Sequence, residues 1–99
     1  MSLFAVTYTY TDDAAALDRH RPDHRGFLGA LADRGTLRAA GPFSDDAGAG
    51  ALLLIRADGA EEVRTILAGD PFAAADLIVD TAVREWNVVL GANRDDLTG

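Results

Sequence analysis

Ninety-nine residues make one domain with one core, and 48% hydrophobic residues is a globular composition that excludes a disordered chain. Sixteen acids against nine bases, every base an arginine, give a formal charge of −7 and no basic surface on which to grip phosphates, which excludes nucleic acid as a partner. The absence of cysteine excludes a disulfide frame, a thiolate nucleophile and a cysteine-bound metal.

No apolar run approaches the ~20 residues of a membrane-spanning helix. The N-terminus opens on a strand pattern rather than a basic and then apolar leader, so no signal peptide is expected. These readings predict a cytoplasmic protein with neither membrane nor nucleic acid among its partners.

Along the chain, Leu3 to Tyr10 alternates, with Phe4, Val6, Tyr8 and Tyr10 on one face of a first strand. Thr11-Asp12-Asp13 supplies short polar caps for a helix through Ala14 to Arg19. Pro22 lacks an N–H and biases Arg21 away from helical geometry, which predicts a kink or a restart. The main helix then runs from Pro22 to about Arg34 and stops at Gly35, with His24 in its first turn facing the sheet beside Phe27, Leu28 and Leu31.

Thr36 to Phe43 reads as a second strand ending at Gly41-Pro42, followed by an acidic, glycine-rich loop from Ser44 to Gly50. Ala51 to Ala57 is a third strand, apolar on both faces. Ala60 to Ala68 forms a second helix with Val63, Ile66 and Leu67 inward, and Gly69-Asp70-Pro71-Phe72 breaks it and opens a short turn through Leu77. The last strand is read from about Ile78 to Leu90, and a polar, frayed tail follows it.

The order strand, helix, strand, strand, helix, strand predicts an α+β, ferredoxin-like βαββαβ fold with a four-stranded antiparallel sheet and both helices on one face. The other face then has no cover from its own chain. The simplest cover is a second copy, so a homodimer with two sheets packed face to face is expected.

This order, with Phe4-Ala5-Val6, Arg21-Pro22-Asp23-His24, Gly41-Pro42, Asp70-Pro71-Phe72 and Trp86, resembles the YciI-like (YCII-related) family of the dimeric α+β barrel superfamily. The domain is assigned to residues 1–91 and the tail to residues 92–99. The resemblance implies a cleft between sheet and helices, with a histidine and an aspartate as an active-site pair; these roles fall on His24 and Asp70. Related barrels include cofactor-free isomerases and dehalogenating lyases.

Histidine suits general acid–base work because it takes and returns a proton near neutrality. A core histidine bonded to backbone explains the same position, and capping of the next helix turn alone explains Asp70 before Pro71. A capping carboxylate also has a second oxygen with which to orient an imidazole.

Arg21, with Arg25 and Arg38, offers charge for an anionic substrate. Tyr8 and Tyr10 bring hydroxyls toward the cleft, and Ser44 lies beside its expected rim, without the glycine-flanked elbow of a serine nucleophile. Phe72 reads as core. His20 and His24 are four apart, but Pro22 between them and the want of a third ligand argue against a metal site. The expectation is a cofactor-free and metal-free enzyme, lyase (dehalogenase) or isomerase in type, in which His24 and Asp70 act on a small anionic organic molecule held by Arg21, Tyr8 and Ser44. The alternative is a non-catalytic dimer that binds a small metabolite or a partner protein.

Overall fold

In the computed structural model, which describes residues 1–99, the elements are β1 (Ser2–Tyr10), α1 (Ala14–Asp33), β2 (Leu37–Pro42), β3 (Gly50–Ala57), α2 (Ala60–Leu67), α3 (Pro71–Ala74), β4 (Ile78–Glu85) and α4 (Arg94–Thr98). Because β1 alternates, it presents Phe4, Val6 and Tyr8 to the helices and turns Leu3, Ala5 and Thr7 to the far side of the sheet. It pairs antiparallel with both β3 and β4, while β3 pairs with β2, giving the order β2-β3-β1-β4. This is the expected α+β, ferredoxin-like sheet.

The core lies between sheet and helices. Val6, Leu53, Ile55 and Val63 are fully enclosed there, and each such side chain contributes roughly 1.5–3 kcal/mol by leaving water. Gly50 sits where β3 meets β1, and a Cβ at that position would stand 2.5 Å from the Tyr8 carbonyl oxygen. Only glycine lets the strands close at this end.

The first helix departs from the sequence expectation. It is continuous from Ala14 to Asp33, capped by the Asp13 side chain, which accepts from the Ala16 N–H at 3.1 Å. Pro22 lies inside it with its ring exposed, so the helix forgoes one backbone hydrogen bond and carries on. The reason is tertiary: Leu17, His24 and Leu31, seven residues apart, form one buried stripe, and holding that stripe on the sheet outweighs the missing bond. His24 therefore stands mid-helix rather than in a first turn. The helix ends as expected, at Gly35 with φ of +78°.

The last strand is also shorter than expected, ending at Glu85, and the segment beyond it turns back over the far face of the sheet. Val88 joins Leu3 and Leu54 in a small buried cluster against which Ala5 and Leu97 pack, and the Arg38 Nε–H donates to the Asp96 carbonyl at 3.1 Å. The tail is thus helical and docked at one end of that face, where the sequence suggested fraying and no cover. Leu52, Phe43 and Trp86 remain exposed. No helix is long and apolar enough to cross a membrane.

Candidate active site

Local sequence dictates where Asp70 points. Pro71 takes the first position of α3, where its missing N–H costs nothing, and Asp70 caps the turn by accepting from the Phe72 N–H at 2.9 Å through Oδ1. The cap holds the carboxylate under α1 and beside β1, fully buried. Two further donors converge on it: the Tyr8 hydroxyl reaches Oδ2 at 3.0 Å, and His24 Nδ1 lies 2.8 Å from Oδ1 and 3.0 Å from Oδ2.

Three donors are what a buried carboxylate needs if its burial is to be tolerated. With an ionised carboxylate as acceptor to all three, Nδ1 is the ring nitrogen that donates to Asp70, and Nε2 is the one it leaves unengaged. Nε2 has no partner within the chain.

The imidazole is also clamped in orientation. Phe72 stacks on it with ring centroids 3.9 Å apart and planes within 7°. Tyr10 meets Phe72 edge-on at 5.3 Å and approaches His24 edge-on at 6.5 Å. The cap of α3 and its second residue thus fix one ring on α1, Asp70 by hydrogen bonding and Phe72 by stacking.

His24 opens on a cavity of about 260 Å³. Its titratable and aromatic wall is Tyr10, His24 and Phe72, its apolar lining is Leu28, Ala40, Gly41, Pro42, Ala51 and Leu53, and Arg21 and Arg25 of α1 also line it. Arg21 also pairs with Asp18 on the helix surface, an exposed contact worth about 0.2–1 kcal/mol at most and readily exchanged for another anion.

Burial, with the nearby Asp70 charge as a lesser cause, pushes the Tyr8 phenol well above the usual tyrosine range. Burial and then Asp70 also push Tyr10 up, to about 12, against a lowering pull from Arg21. Both hydroxyls are therefore donors at neutral pH.

The structure brings His24, Asp70 and Tyr8 into contact, with Arg21 on the same cavity as His24, and places Tyr8 and Ser44 outside the cavity lining. Tyr8 does not line the cavity: it stands behind Asp70 and spends its hydroxyl there. Ser44 lies in the exposed β2–β3 loop outside the cavity lining, because β2 ends before it. Arg38 turns away to the carbonyls of Gly35 and Asp96.

The aromatic residues of the cavity are Tyr10 and Phe72. Alternation put Tyr8 and Tyr10 on one strand face, and only the sheet order and the register shift between Thr9 and Tyr10 decide which of them meets the cavity. Phe72 is core, as read, and also the stacking partner of His24. No group of three His, Cys, Asp or Glu side chains is placed to hold a metal ion.

Comparison with known proteins bears on this geometry. The family model of the YCII-related domain matches residues 2–87. A 5-chloro-2-hydroxyhydroquinone dehydrochlorinase from Burkholderia phenoliruptrix AC1100, solved in complex with 2,5-dihydroxybenzoquinone, superposes with a TM-score of 0.73 at 24% identity, over 86% of this chain and 93% of that one. An antibiotic biosynthesis monooxygenase superposes with a TM-score of 0.57 at 13% identity, over 91% of this chain and all of that one. At these identities the likeness is one of fold. A search of curated proteins finds no match.

Proposed function

Since the chain belongs to the YCII-related domain family, we propose that it is a cofactor-independent enzyme of the lyase type, acting by general acid–base chemistry on a small, oxygenated, anionic ring compound. One observation carries this reading: His24 is held at Nδ1 by a buried carboxylate 2.8 Å away while its Nε2 is left unpartnered on a ring that lines a cavity. A histidine needed only for packing requires no such carboxylate, whereas a base needs its tautomer fixed and its lone pair free.

In a dehydrohalogenation of a chlorinated hydroquinone, Nε2 would take one hydroxyl proton and return it to the chlorine-bearing carbon, giving a keto tautomer in which that carbon is tetrahedral. Nε2 would then take a second hydroxyl proton, the electron pair of that O–H bond would form the second carbonyl through the ring double bonds, and chloride would leave with the carbon–chlorine pair. His24 then returns its proton to water, so that HCl is lost overall. Asp70 orients the ring through Nδ1 and stabilises the transient imidazolium. Arg21 and Arg25 offset the negative charge of a phenolate or enolate, and the apolar lining admits a flat ring. The chemistry of the fold neighbour, dehydrochlorination of a chlorinated hydroxyhydroquinone, falls in this class.

The test is chloride release from 5-chloro-2-hydroxyhydroquinone by the purified wild-type chain, followed by ion chromatography against the uncatalysed rate. Catalysed release with one chloride per quinone formed is expected. Saturable binding of the compound without acceleration would favour a non-catalytic metabolite-binding protein, and neither binding nor release would remove this substrate class.

The same reading includes a homodimer through the far face of the sheet. Leu52, Phe43 and Trp86 are exposed there, and α4 covers only one end. Light scattering at micromolar concentration should return twice the 10.4 kDa mass of the chain, and a monomeric mass would refute the pairing.

A further inference from the structure

Two tyrosines approach the buried carboxylate from β1, and their hydroxyls have different fates. The Tyr8 hydroxyl is consumed by Asp70 at 3.0 Å, behind the site. Tyr10 lines the cavity, its ring is fixed by edge contacts with Phe72 and His24, and its hydroxyl makes no hydrogen bond within the chain. A polar group on an immobilised, half-buried ring is a prepositioned donor whose partner lies outside the chain.

The partner's charge can be read from the surroundings. Arg21 lines the same cavity and lies near enough to act on the Tyr10 phenol, and Arg25 lines it too, while of the carboxylates nearby Asp70 is already saturated by three donors and Asp18 pairs with Arg21 on the exposed helix surface, outside the cavity lining. A neutral donor beside a cation, with no free acceptor, matches an anionic oxygen and offers little to an ether or an unsubstituted ring.

We propose that Tyr10, together with Arg21, is the specificity-determining donor pair that seats an ionised ring oxygen beside His24, selecting phenolates and enolates over neutral rings of the same shape. This rests on the reading of the cavity as the substrate site, and it adds a residue and a selection rule to it. The Tyr10 ring fixes the position and its hydroxyl reads the charge, so the two contributions separate in a Tyr10→Phe variant.

The experiment is equilibrium binding of 4-nitrophenolate and of its neutral methyl ether, 4-nitroanisole, to the wild-type chain, Tyr10→Phe and Arg21→Gln. The wild-type chain should prefer the phenolate. Tyr10→Phe should lose about ten-fold in phenolate affinity, the worth of one hydrogen bond to a charged group, while its affinity for the ether stays within about two-fold. Arg21→Gln should show the same selective loss.

A wild-type chain without preference for the phenolate, equal losses for both probes, or no loss for either overturns the assignment. Failure here and failure of the elimination chemistry are distinguishable. Selectivity unaffected by Tyr10→Phe while chloride release is intact removes the role of Tyr10 alone, whereas selectivity present without chloride release removes the elimination alone.

Discussion

His24→Gln should lower kcat for the elimination by roughly 10²–10⁴-fold, the usual worth of a positioned general base, with a change in KM of no more than a few fold. Glutamine keeps an N–H with which to satisfy Asp70 and keeps much of the packing against Phe72, so loss of proton transfer is separated from loss of structure. The apolar lining, Tyr10, Arg21 and Arg25 are untouched and hold substrate as before. In His24→Ala the space left by the ring adjoins the cavity, and added imidazole should restore part of the rate, because Asp70 and Phe72 still define the slot. Steady-state kinetics with and without imidazole checks this. A His24→Gln enzyme at the wild-type rate would refute the role of base, and reduced rates in both variants with no rescue would point to a ring needed for packing.

What could be read in advance follows from the range of the interactions concerned. Strand alternation and the Asp70-Pro71 cap depend on neighbouring residues, and the sequence shows them directly: β1 buries Phe4, Val6 and Tyr8 as its pattern requires, and Asp70 caps α3. The resemblance to the YCII-related family brought His24 and Asp70 together before the fold did, across 46 residues of sequence.

Where local rules met tertiary forces, they misled. Pro22 argued for a helix restart, yet the buried stripe of Leu17, His24 and Leu31 holds α1 together through it. The tail looked polar enough to fray, yet Leu97 alone finds an apolar seat against Leu3, Leu54 and Val88. Tyr8 and Tyr10 exchanged their expected standing for a similar reason, since alternation fixes a face and not the distance along it. Ser44, expected beside the cleft rim, sits in an exposed loop outside the cavity lining, since a loop need not follow its strand to the cavity.

The buried carboxylate that serves the chemistry should also be the most costly side chain to remove. Asp70→Ala leaves three donors, the Tyr8 hydroxyl, the Phe72 N–H and the His24 ring, without an acceptor and out of reach of water, and it strips the cap from α3. Breaking a buried, hydrogen-bonded charge constellation costs about 3–5 kcal/mol, a large share of the roughly 5–15 kcal/mol that holds a domain together. Asp70→Asn keeps the shape and one acceptor oxygen and should lose less. Urea denaturation of the three chains gives the comparison, and a loss below about 1 kcal/mol for Asp70→Ala would contradict the geometry.

Tyr8→Phe combined with Asp70→Ala should cost less than the sum of the two, because Tyr8→Phe removes one of the stranded donors. The same constellation sets the alkaline limit of the fold. Tyr10 is raised from 10.0 to about 12, and Tyr8 is raised beyond that, in each case by burial first and by the Asp70 charge second. Above pH ~10 the unfolded chain gives up these protons while the folded chain keeps them, so the unfolded state binds fewer protons and stability falls with pH. The contribution is whole below pH ~10 and is lost as pH climbs toward the folded-state values. In Asp70→Asn the charge contribution vanishes while burial, the hydrogen bond to Tyr8 and the neighbouring Tyr10 remain, so base titration followed by circular dichroism should show a shallower alkaline decline in that variant than in the wild-type chain, starting from a lower stability at neutral pH. An equally steep decline in both would remove the Asp70 charge as a cause of the shifts and would leave Asp70 with its hydrogen bonds as its whole contribution to the fold.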